Sequence, residues 1–386
     1  MRRRLVIAVA LPLLALWPAA CREGGGEPIL IGVAGPVSKA NGRSMRLAVE
    51  MAVEEINRSG GVRGRPLQLV VMDDEGDVNQ AIDIARQLRE NPAVVAVIGH
   101  LNSSASLKAA PIYNLPRGAS DSIRGAPVLQ ISPASSAPQL REAGDWTFRV
   151  TPTDLEFSPE LARWAAGRLG LRRAAVIYAN DDYGQGVRRT FEDAFRRNGG
   201  TVVSADPYLP AAVAEGTELD PFLVRGLQQR RADALVIGGQ ADEGLKIIAA
   251  ARRLGYTGPI LGSDGLTNVK DRGPIANGVF VSSAFLPDRP DTAAQRFVGE
   301  YRRRYDNELP DHRGAMAYDV VYLLRAGLEA VGPDRRRLRD WVAGRDTERE
   351  AHHGVSGNIV FDEKGDVKGK PVAIGVVRNG QLVTAR

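Results

Sequence analysis

Short apolar runs alternate along this chain with longer stretches in which apolar residues recur at helical spacing. The first run covers residues 29–34 and ends in Gly-Pro. It is followed by Met45, Ala48, Ala52 and Ile56, which fall on one face of a helix because residues three and four apart lie on the same side. A strand followed by an amphipathic helix is therefore the first predicted unit.

The same unit recurs in two series along the chain. Further strands of the first series are predicted at residues 67–72, 94–98 and 128–131. Helices of this series are predicted around residues 81–88 and from starts near Ser103 and Ser135. Strands of the second series are predicted at residues 174–178, 202–205, 234–237 and 259–261. Two successive series predict an α/β protein with two doubly wound parallel-sheet lobes. We place their boundary at residues 149–153, where Pro152 interrupts the pattern.

The last hundred residues follow a different pattern. Two helical patterns, at residues 292–305 and 314–330, precede apolar runs at residues 372–377 and 381–384. The two runs flank Asn379-Gly380, a dipeptide typical of a type I′ turn. A terminal β-hairpin is therefore predicted.

The first 20 residues have the pattern of a secretory signal peptide. Three arginines, Arg2 to Arg4, precede an apolar stretch that ends at Ala19 and Ala20. Cys21 follows directly, as in a bacterial lipoprotein signal, so a lipid on Cys21 is expected to anchor the mature chain. Residues 21–28, with three successive glycines, are predicted to form a flexible tether. The apolar stretch is shorter than the roughly 20 residues of a spanning helix, so an extracytoplasmic, periplasmic protein is expected.

Composition narrows the possible classes of function. The 386 residues, 44% hydrophobic and 25% charged, are typical of a globular chain of two domains. The net charge of +5 falls to +2 without the three arginines of the signal segment, which gives no electrostatic basis for nucleic-acid binding. One cysteine permits no internal disulfide, and the four histidines form no cluster with metal spacing. Neither a metal nor a cofactor is expected.

Hydroxyl residues follow two neighbouring strands of the first series. Residues 94–98 are followed by Gly-His-Leu-Asn and then Ser103-Ser104, and residues 128–131 by Ser-Pro-Ala and then Ser135-Ser136. Ligands of open α/β sheets bind beyond the carboxyl ends of strands, where helix starts present free N–H groups. Each serine alone could be a helix cap. Together the two turns offer hydroxyl and N–H donors around one point, as a carboxylate requires.

Several motifs occur in the order known from one family of proteins. They are residues 98–104, residues 131–134 with Ala137-Pro138, residues 180–186 (Asn-Asp-Asp-Tyr-Gly-Gln-Gly), residues 57–64, Asp73-Asp74 and residues 317–319 (Ala-Tyr-Asp). With this ordered set the chain resembles the leucine/isoleucine/valine-binding protein family of ABC-transporter substrate-binding proteins. The resemblance covers essentially the whole mature chain.

The resemblance implies a type I periplasmic binding fold. In this fold two lobes are joined by a three-strand hinge and close on a ligand like a clamp. The first lobe would comprise residues 29–151 and 285–358, and the second lobe residues 152–284 and 359–386.

The resemblance also implies a ligand site in the cleft. Ser103, Ala134 and Ser136, with the adjacent Ser135, match the positions that hold the α-carboxylate of an amino acid. Tyr183 matches a tyrosine of the second lobe that closes over the ligand. Asp264 matches an acid that pairs with the ammonium group, although a turn or cap aspartate is the alternative for this residue.

Three departures from the family pattern bear on stability and specificity. Gly76 and Asn102 occupy positions where type members carry a cysteine pair, so that disulfide is absent. Asn41 stands where those members have an aromatic residue, and Gln240 stands where they have a tyrosine. Amides in place of rings favour a ligand more polar than a branched-chain amino acid.

No enzyme motif is complete in the sequence. Gly184-Gln185-Gly186 begins like a dinucleotide fingerprint but lacks the third glycine. Residues 365–370 are too short for a phosphate loop, and His352-His353 is expected to be solvated. His100 near Ser103 belongs to a family loop that is not catalytic. The chain is therefore expected to bind, not to catalyse.

The expected role is in transport. The protein would capture an amino acid or related small carboxylate and deliver it, as a monomer, to the permease of an ABC importer. The alternative is a ligand-sensing clamp that reports to a receptor or regulator.

Overall fold

A computed structural model describes residues 26–115, 125–216 and 219–386. The predicted signal segment, Cys21 and residues 22–25 of the tether lie outside the described residues, as do residues 116–124. No helix in the three described ranges combines the length and hydropathy that crossing a membrane requires.

The first five strands form one parallel sheet. They are β1 (Ile29–Gly35), β2 (Leu67–Asp73), β3 (Val94–Ile98), β4 (Leu129–Ser132) and β5 (Thr147–Arg149), in the spatial order β2-β1-β3-β4-β5. The connecting helices are α1 (Ala40–Arg58), α2 (Val78–Glu90) and α3 (Ser103–Asn114). This sheet and its helices constitute the first lobe.

A second, mixed sheet of seven strands forms the second lobe. Its parallel strands are β6 (Arg173–Ala179), β7 (Thr201–Tyr208), β8 (Ala234–Gly238), β9 (Ile260–Gly262) and β10 (Val279–Ser283). The antiparallel strands β13 (Ala373–Arg378) and β14 (Gln381–Thr384) complete the order β14-β13-β10-β9-β8-β6-β7. The helices of this part are α4 (Asp154–Arg163), α5 (Asp182–Arg197), α6 (Pro210–Ala214), α7 (Asp220–Leu223) and α8 (Ala241–Arg253).

After β10 the chain returns to the first lobe. It forms α9 (Thr292–Arg304), α10 (His312–Val331), α11 (Arg335–Ala343) and a small hairpin of β11 (His352–Gly354) and β12 (Gly357–Ile359). Helix α10 packs along α1, and residues such as Met45, Ile98 and Leu324 share one buried core. Short 3₁₀ or π segments lie at Pro138–Glu142, Trp164–Arg168, Val224–Gln229, Asp264–Arg272, Pro274–Ala276 and Glu348–Glu350.

The predicted terminal hairpin is confirmed. Strands β13 and β14 pair antiparallel, with Arg378 opposite Gln381. Asn379 and Gly380 have φ angles of +50° and +75°. Positive φ at both central positions is what a type I′ turn requires, and Asn-Gly adopts it at little cost.

The helix predicted to start near Ser135 is absent from the described residues. Ser135 and Ser136 lie in an irregular turn, and only the 3₁₀ segment Pro138–Glu142 follows. The cause is Pro138, because its ring disfavours the helical region for the residue before it. Ala137 accordingly has ψ of 128°. The two serines therefore remain at the strand end without being drawn into a helix.

The residue at which the chain returns to the second lobe also differs from the expectation. The family resemblance places residues from 359 onward in the second lobe, but Ile359, Phe361 and Val367 lie in the first-lobe core. Phe361 packs edge-on against Phe148 of β5, with ring centroids 5.1 Å apart. The chain therefore crosses into the second lobe only between Val367 and β13.

The predicted ligand-binding residues lie at the carboxyl ends of six strands, where the two lobes meet. Each residue predicted to bind a ligand follows the end of a strand: Asn41 after β1, Ser103 after β3, Ala134 to Ser136 after β4, Tyr183 after β6, Gln240 after β8 and Asp264 after β9. This placement is the one expected for a ligand site of an open α/β sheet.

Candidate functional site

The two serine turns of the first lobe are joined to each other. Ser103 is the first residue of α3, and its Oγ accepts a hydrogen bond of 3.2 Å from the N–H of Ala137. Ser106 and Ser135 share a hydrogen bond of 2.6 Å between their hydroxyls. Ser135 is thus used inside the turn. The Oγ of Ser136, also buried, has no hydrogen-bond partner among the described residues. Within the turn, the hydroxyl of Ser136 is thus the one left for the neighbouring carboxyl of Asp154 or for a ligand.

A buried polar chain fixes the turn that leads to Ser103. Nδ1 of His100 lies 2.6 Å from Oδ2 of Asp74, and its Nε2 lies 3.2 Å from the hydroxyl of Tyr113. The carbonyl of His100 accepts a bond of 2.8 Å from Oγ of Ser132. Both ring nitrogens of His100 are therefore engaged in holding the loop.

Arg149 holds the second turn and was not predicted as a site residue. Its guanidinium is 1% exposed and binds Asp366 through two bonds, Nε to Oδ1 at 2.6 Å and Nη2 to Oδ2 at 3.0 Å. Nη1 donates to the carbonyls of Ser135 (3.2 Å) and Ala137 (2.7 Å). These carbonyls flank Ser136, so Arg149 sets the position of the turn. The only sequence signal was a charged residue at the predicted lobe boundary.

The second lobe contributes Tyr183 and Asp264. The Tyr183 hydroxyl donates to Oδ1 of Asp264 at 3.0 Å and accepts from the N–H of Gly265 at 2.7 Å. Ser263 Oγ also donates to Oδ1 of Asp264, at 3.1 Å. Burial raises the pKa of Tyr183 well above its usual value, and the negative charge of Asp264 adds a smaller shift in the same direction. Tyr183 therefore stays a neutral donor beside the aspartate.

Gln240 and Asn41 occupy the edges of the cleft. Gln240 is the residue before α8, and its Oε1 accepts a bond of 3.3 Å from Arg313. Asn41 lies half-buried in the first turn of α1, next to Ala40, whose carbonyl accepts a bond of 3.1 Å from Asn268 of the second lobe. Both amides are thus placed where the lobes meet.

The lobes contact each other directly across the cleft. Ser104 of α3 donates to Oδ2 of Asp182 of α5 at 2.7 Å, and the N–H of Asp182 donates back to Ser104 Oγ at 3.2 Å. Ser103, Tyr183 and Asp264 are only 3%, 5% and 3% exposed. The molecule therefore has the closed arrangement, in which residues of both lobes are shielded from solvent.

Asp154 is a buried carboxyl group behind Ser136. It is the first residue of α4, and neither of its carboxyl oxygens has a hydrogen-bond partner among the described residues. Gly186 lies against it: a Cβ at Gly186 would lie 2.2 Å from Oδ2 of Asp154. Burial raises the pKa of Asp154 well above its ordinary value, and the negative charge of Asp264 adds a smaller shift in the same direction.

We expect Asp154→Asn to stabilise the protein at neutral pH. An acid whose pKa is raised on folding contributes stability at low pH, and this contribution is lost as the pH rises from about 4 toward the folded-state pKa. The amide removes that loss, so the free energy of unfolding at pH 7.5 should increase by about 1–3 kcal/mol. Urea unfolding at pH 4 and pH 7.5 measures this. A variant no more stable than the wild type at pH 7.5, or one that gains equally at both pH values, would contradict the assignment.

The motifs weighed as enzyme features have structural roles. A Cβ at Gly184 would lie 2.2 Å from the carbonyl oxygen of Ala179, so close packing requires this glycine. Gly365 forms a turn at φ +79°. His352 is half-buried in β11, against the expectation of solvation, and burial lowers its pKa to about 4. No group of three or more potential metal ligands occurs among the described residues.

Comparison with known proteins identifies the family. The family model described as periplasmic binding protein matches residues 28–381, and the chain belongs to this family. The Leu/Ile/Val-binding protein of Escherichia coli K12 is 28% identical over 344 residues, covering 87% of this chain and 86% of the relative. An amino acid binding protein of Pseudomonas aeruginosa is 25% identical over 354 residues, covering 88% of this chain and 87% of the relative.

Solved structures agree with this assignment. An ABC transporter substrate-binding protein of Desulfitobacterium hafniense in complex with Leu is 32% identical, with a TM-score of 0.76 over 93% of this chain and 100% of that chain. A leucine binding protein of Thermotoga maritima is 26% identical, with a TM-score of 0.80 over 93% and 98%. The type I periplasmic binding fold is thus confirmed.

Proposed function

We propose that this protein is the extracytoplasmic substrate-binding component of an ABC importer and that its ligand is an amino acid or related small carboxylate. One observation supports the proposal: Ser103 and Ser136 of the first lobe and Asp264 of the second lobe are buried at strand ends beside the contact between the lobes. The relatives described as amino-acid or leucine binding proteins support the choice of ligand class.

The first lobe would bind the carboxylate end of the ligand. Ser103 begins α3, where the helix dipole and free N–H groups favour an anion. Ser136 adds a hydroxyl, and Ala134 adds a main-chain N–H whose present contact, with Ser132 Oγ at 3.3 Å, is long. Charge-assisted hydrogen bonds of this kind are stronger than neutral ones. The ligand would therefore dock on the first lobe before the cleft closes.

The second lobe would bind the ammonium end. Asp264 supplies the negative charge, and Tyr183 fixes the carboxylate of Asp264 from one side. The ligand would reach Asp264 only when the lobes come together, so a ligand bearing both charged ends favours the closed state over the open one. The closed clamp would be the form that the permease recognises. No chemical step is required of any residue.

The cellular setting is part of the same proposal. The signal segment of residues 1–20 would direct export, and a lipid on Cys21 would retain the protein at the outer face of the membrane. A flexible tether at residues 21–28 would let the two lobes reach the permease. The protein would function as a monomer.

A thermal-shift screen of the mature chain tests this function. The protein, with Cys21 removed, is mixed with each of the twenty amino acids and with small carboxylates that lack an amine. A ligand at 100 times its Kd stabilises the folded state by ~2.7 kcal/mol, which raises Tm clearly. A rise with at least one amino acid is expected. No rise with any amino acid or carboxylate would overturn the proposal.

Removal of the Ser104 hydroxyl is expected to favour the open form. Ser104→Ala deletes the contact with Asp182, and one hydrogen bond to a charged group contributes about 1.5–3 kcal/mol. If that energy favours closure, ligand affinity should fall roughly 10-fold to 100-fold. Calorimetry measures the affinity, and small-angle scattering of the ligand-free protein reports the wider opening. Thr347→Ala, at an exposed hydroxyl, is the control. Unchanged affinity and scattering would contradict a closing role for Ser104.

A further inference from the structure

Three consecutive polar residues are buried at the start of α10. Asp311, His312 and Arg313 are 4%, 0% and 1% exposed. A buried ion pair stabilises a fold weakly, because desolvation of both charges offsets their attraction. Apolar residues at these positions would serve packing as well. Asp311 caps α10 by accepting from the N–H of Gly314 at 3.1 Å, but capping does not account for the burial of His312 and Arg313 in the seam between the lobes.

Arg313 extends from the first lobe to the ligand-facing loops of the second lobe. Its Nη1 donates to Thr267 Oγ1 at 2.8 Å and to Oδ2 of Asp311 at 3.0 Å. Its Nη2 makes only long bonds, to Gln240 Oε1 at 3.3 Å and to the carbonyls of Asp264 and Gly265 at 3.4 Å each. The Nη1 side is well bonded. The Nη2 side is held by three contacts near the distance limit, which a better acceptor would replace.

His312 points an unsatisfied nitrogen at the same place. Its Nδ1 lies 3.5 Å from Thr267 Oγ1, whereas its Nε2 is buried with no hydrogen-bond partner among the described residues. Nε2 lies 3.7 Å from Oδ2 of Asp264, too far for a hydrogen bond. A buried polar nitrogen without a partner is unfavourable, because it has lost its hydration and no hydrogen bond replaces it. A ligand atom beside Asp264 could remove that cost.

The charges indicate which ligand group fits. Asp311 already neutralises the charge of Arg313 through Nη1. The Nη2 group therefore acts as a hydrogen-bond donor and does not require a negatively charged partner. Gln240, beside it, accepts from Arg313 through Oε1 and adds its amide NH₂ as a further donor. An apolar ligand side chain would leave Nη2 of Arg313 and Nε2 of His312 without good partners. An oxygen acceptor would bind to them.

We propose that Arg313, with His312 and Gln240, selects an amino acid whose side chain ends in a carboxamide or carboxylate oxygen. This inference rests on the proposed function and narrows its ligand class. Asp264 holds the ammonium group, and Arg313 lies against the carbonyl of the same residue, so the Nη2 donors face the part of the ligand that extends from its α-carbon. Sites built to hydrogen-bond a ligand reject analogues that lack the bonding group far more strongly than apolar pockets reject small size changes.

Calorimetric titration of the mature protein tests the selection. Asparagine, glutamine, aspartate and glutamate are compared with leucine, isoleucine and valine. We expect the tightest of the first four to bind at least 100-fold more tightly than any of the last three. Comparison of asparagine with aspartate, and of glutamine with glutamate, shows whether the site prefers a neutral or a charged oxygen acceptor. If a branched-chain amino acid binds more tightly than all four, this inference is wrong and the proposed function stands. If only a small carboxylate without an amine binds, this inference fails and the proposed function stands. If no amino acid and no small carboxylate binds, both fail.

Variants of Arg313 assign the effect to this side chain. Arg313→Met keeps a long side chain without donors, and it should weaken binding of the preferred ligand at least 10-fold while leaving leucine within threefold. Arg313→Lys keeps the charge but loses the planar fork and should give a smaller loss. Equal loss for leucine and the preferred ligand would contradict a role in selection. The wild-type ranking decides the question even if Arg313→Met does not fold.

Discussion

Asp264→Ala is expected to weaken amino-acid binding by roughly 30-fold to a few thousand-fold. Loss of one partner of a buried charge pair costs ~2–5 kcal/mol, because the ligand ammonium is left without its counter-charge. Asp264 is 3% exposed, so solvent screens the pair little in the closed form. Titration calorimetry with an amino acid identified by the thermal-shift screen measures the change in Kd.

Two further variants separate the effect of the Asp264 charge from effects of side-chain shape and of overall charge. Asp264→Asn keeps the shape and the capacity to accept from Tyr183 but removes the charge, so it should lose nearly as much affinity as alanine. Asp193→Ala removes an exposed aspartate on α5 and should leave Kd unchanged. A loss below threefold in Asp264→Ala would show that this residue is a turn aspartate, the alternative weighed from the sequence.

Asp366→Ala is expected to reduce the free energy of unfolding by about 3–5 kcal/mol. The substitution leaves Arg149 buried without its carboxylate, and removal of one partner of a buried ion pair destabilises by this amount. Arg149 also holds the carbonyls of Ser135 and Ala137, so ligand affinity should fall as well. Urea unfolding and calorimetry measure the two effects.

An exposed neighbour provides the control for Asp366. Glu363→Ala lies three residues earlier on the same loop and should change stability by less than about 0.5 kcal/mol. If Asp366→Ala unfolds at the same urea concentration as Glu363→Ala, the buried pair is not a determinant of stability. A stability loss without a loss of affinity would show that the Ser136 turn keeps its position without Arg149.

Much of the fold could be predicted from local patterns. Strand β3 was predicted with its observed bounds, and the Asn379-Gly380 turn identified the terminal hairpin, because both depend on residues close in sequence. Strand β5 was not predicted, because Thr147–Arg149 is too short to show a period. Strand β10 was not predicted either, since Val279–Ser283 ends in two serines that are buried only by the completed sheet.

The candidate site could be predicted only in part. Ser103, Tyr183 and Asp264 were chosen from family motifs. The structure buries all three, bonds Tyr183 to Asp264 and joins the lobes beside them through Ser104 and Asp182. Arg149 and Asp366 could not be paired from the sequence, because 217 positions separate them and no local pattern links them. Arg313 was equally inaccessible, since its contacts exist only where α10 of the first lobe meets the loops of the second lobe.

We propose that the cleft binds both charged ends of one amino acid. Titration of the mature protein with the tightest-binding amino acid, its decarboxylated amine and its deaminated acid tests this directly. We expect each analogue to bind at least about 30-fold more weakly, because each leaves one buried charged or polar partner unpaired. Binding of either analogue within threefold of the amino acid would contradict it.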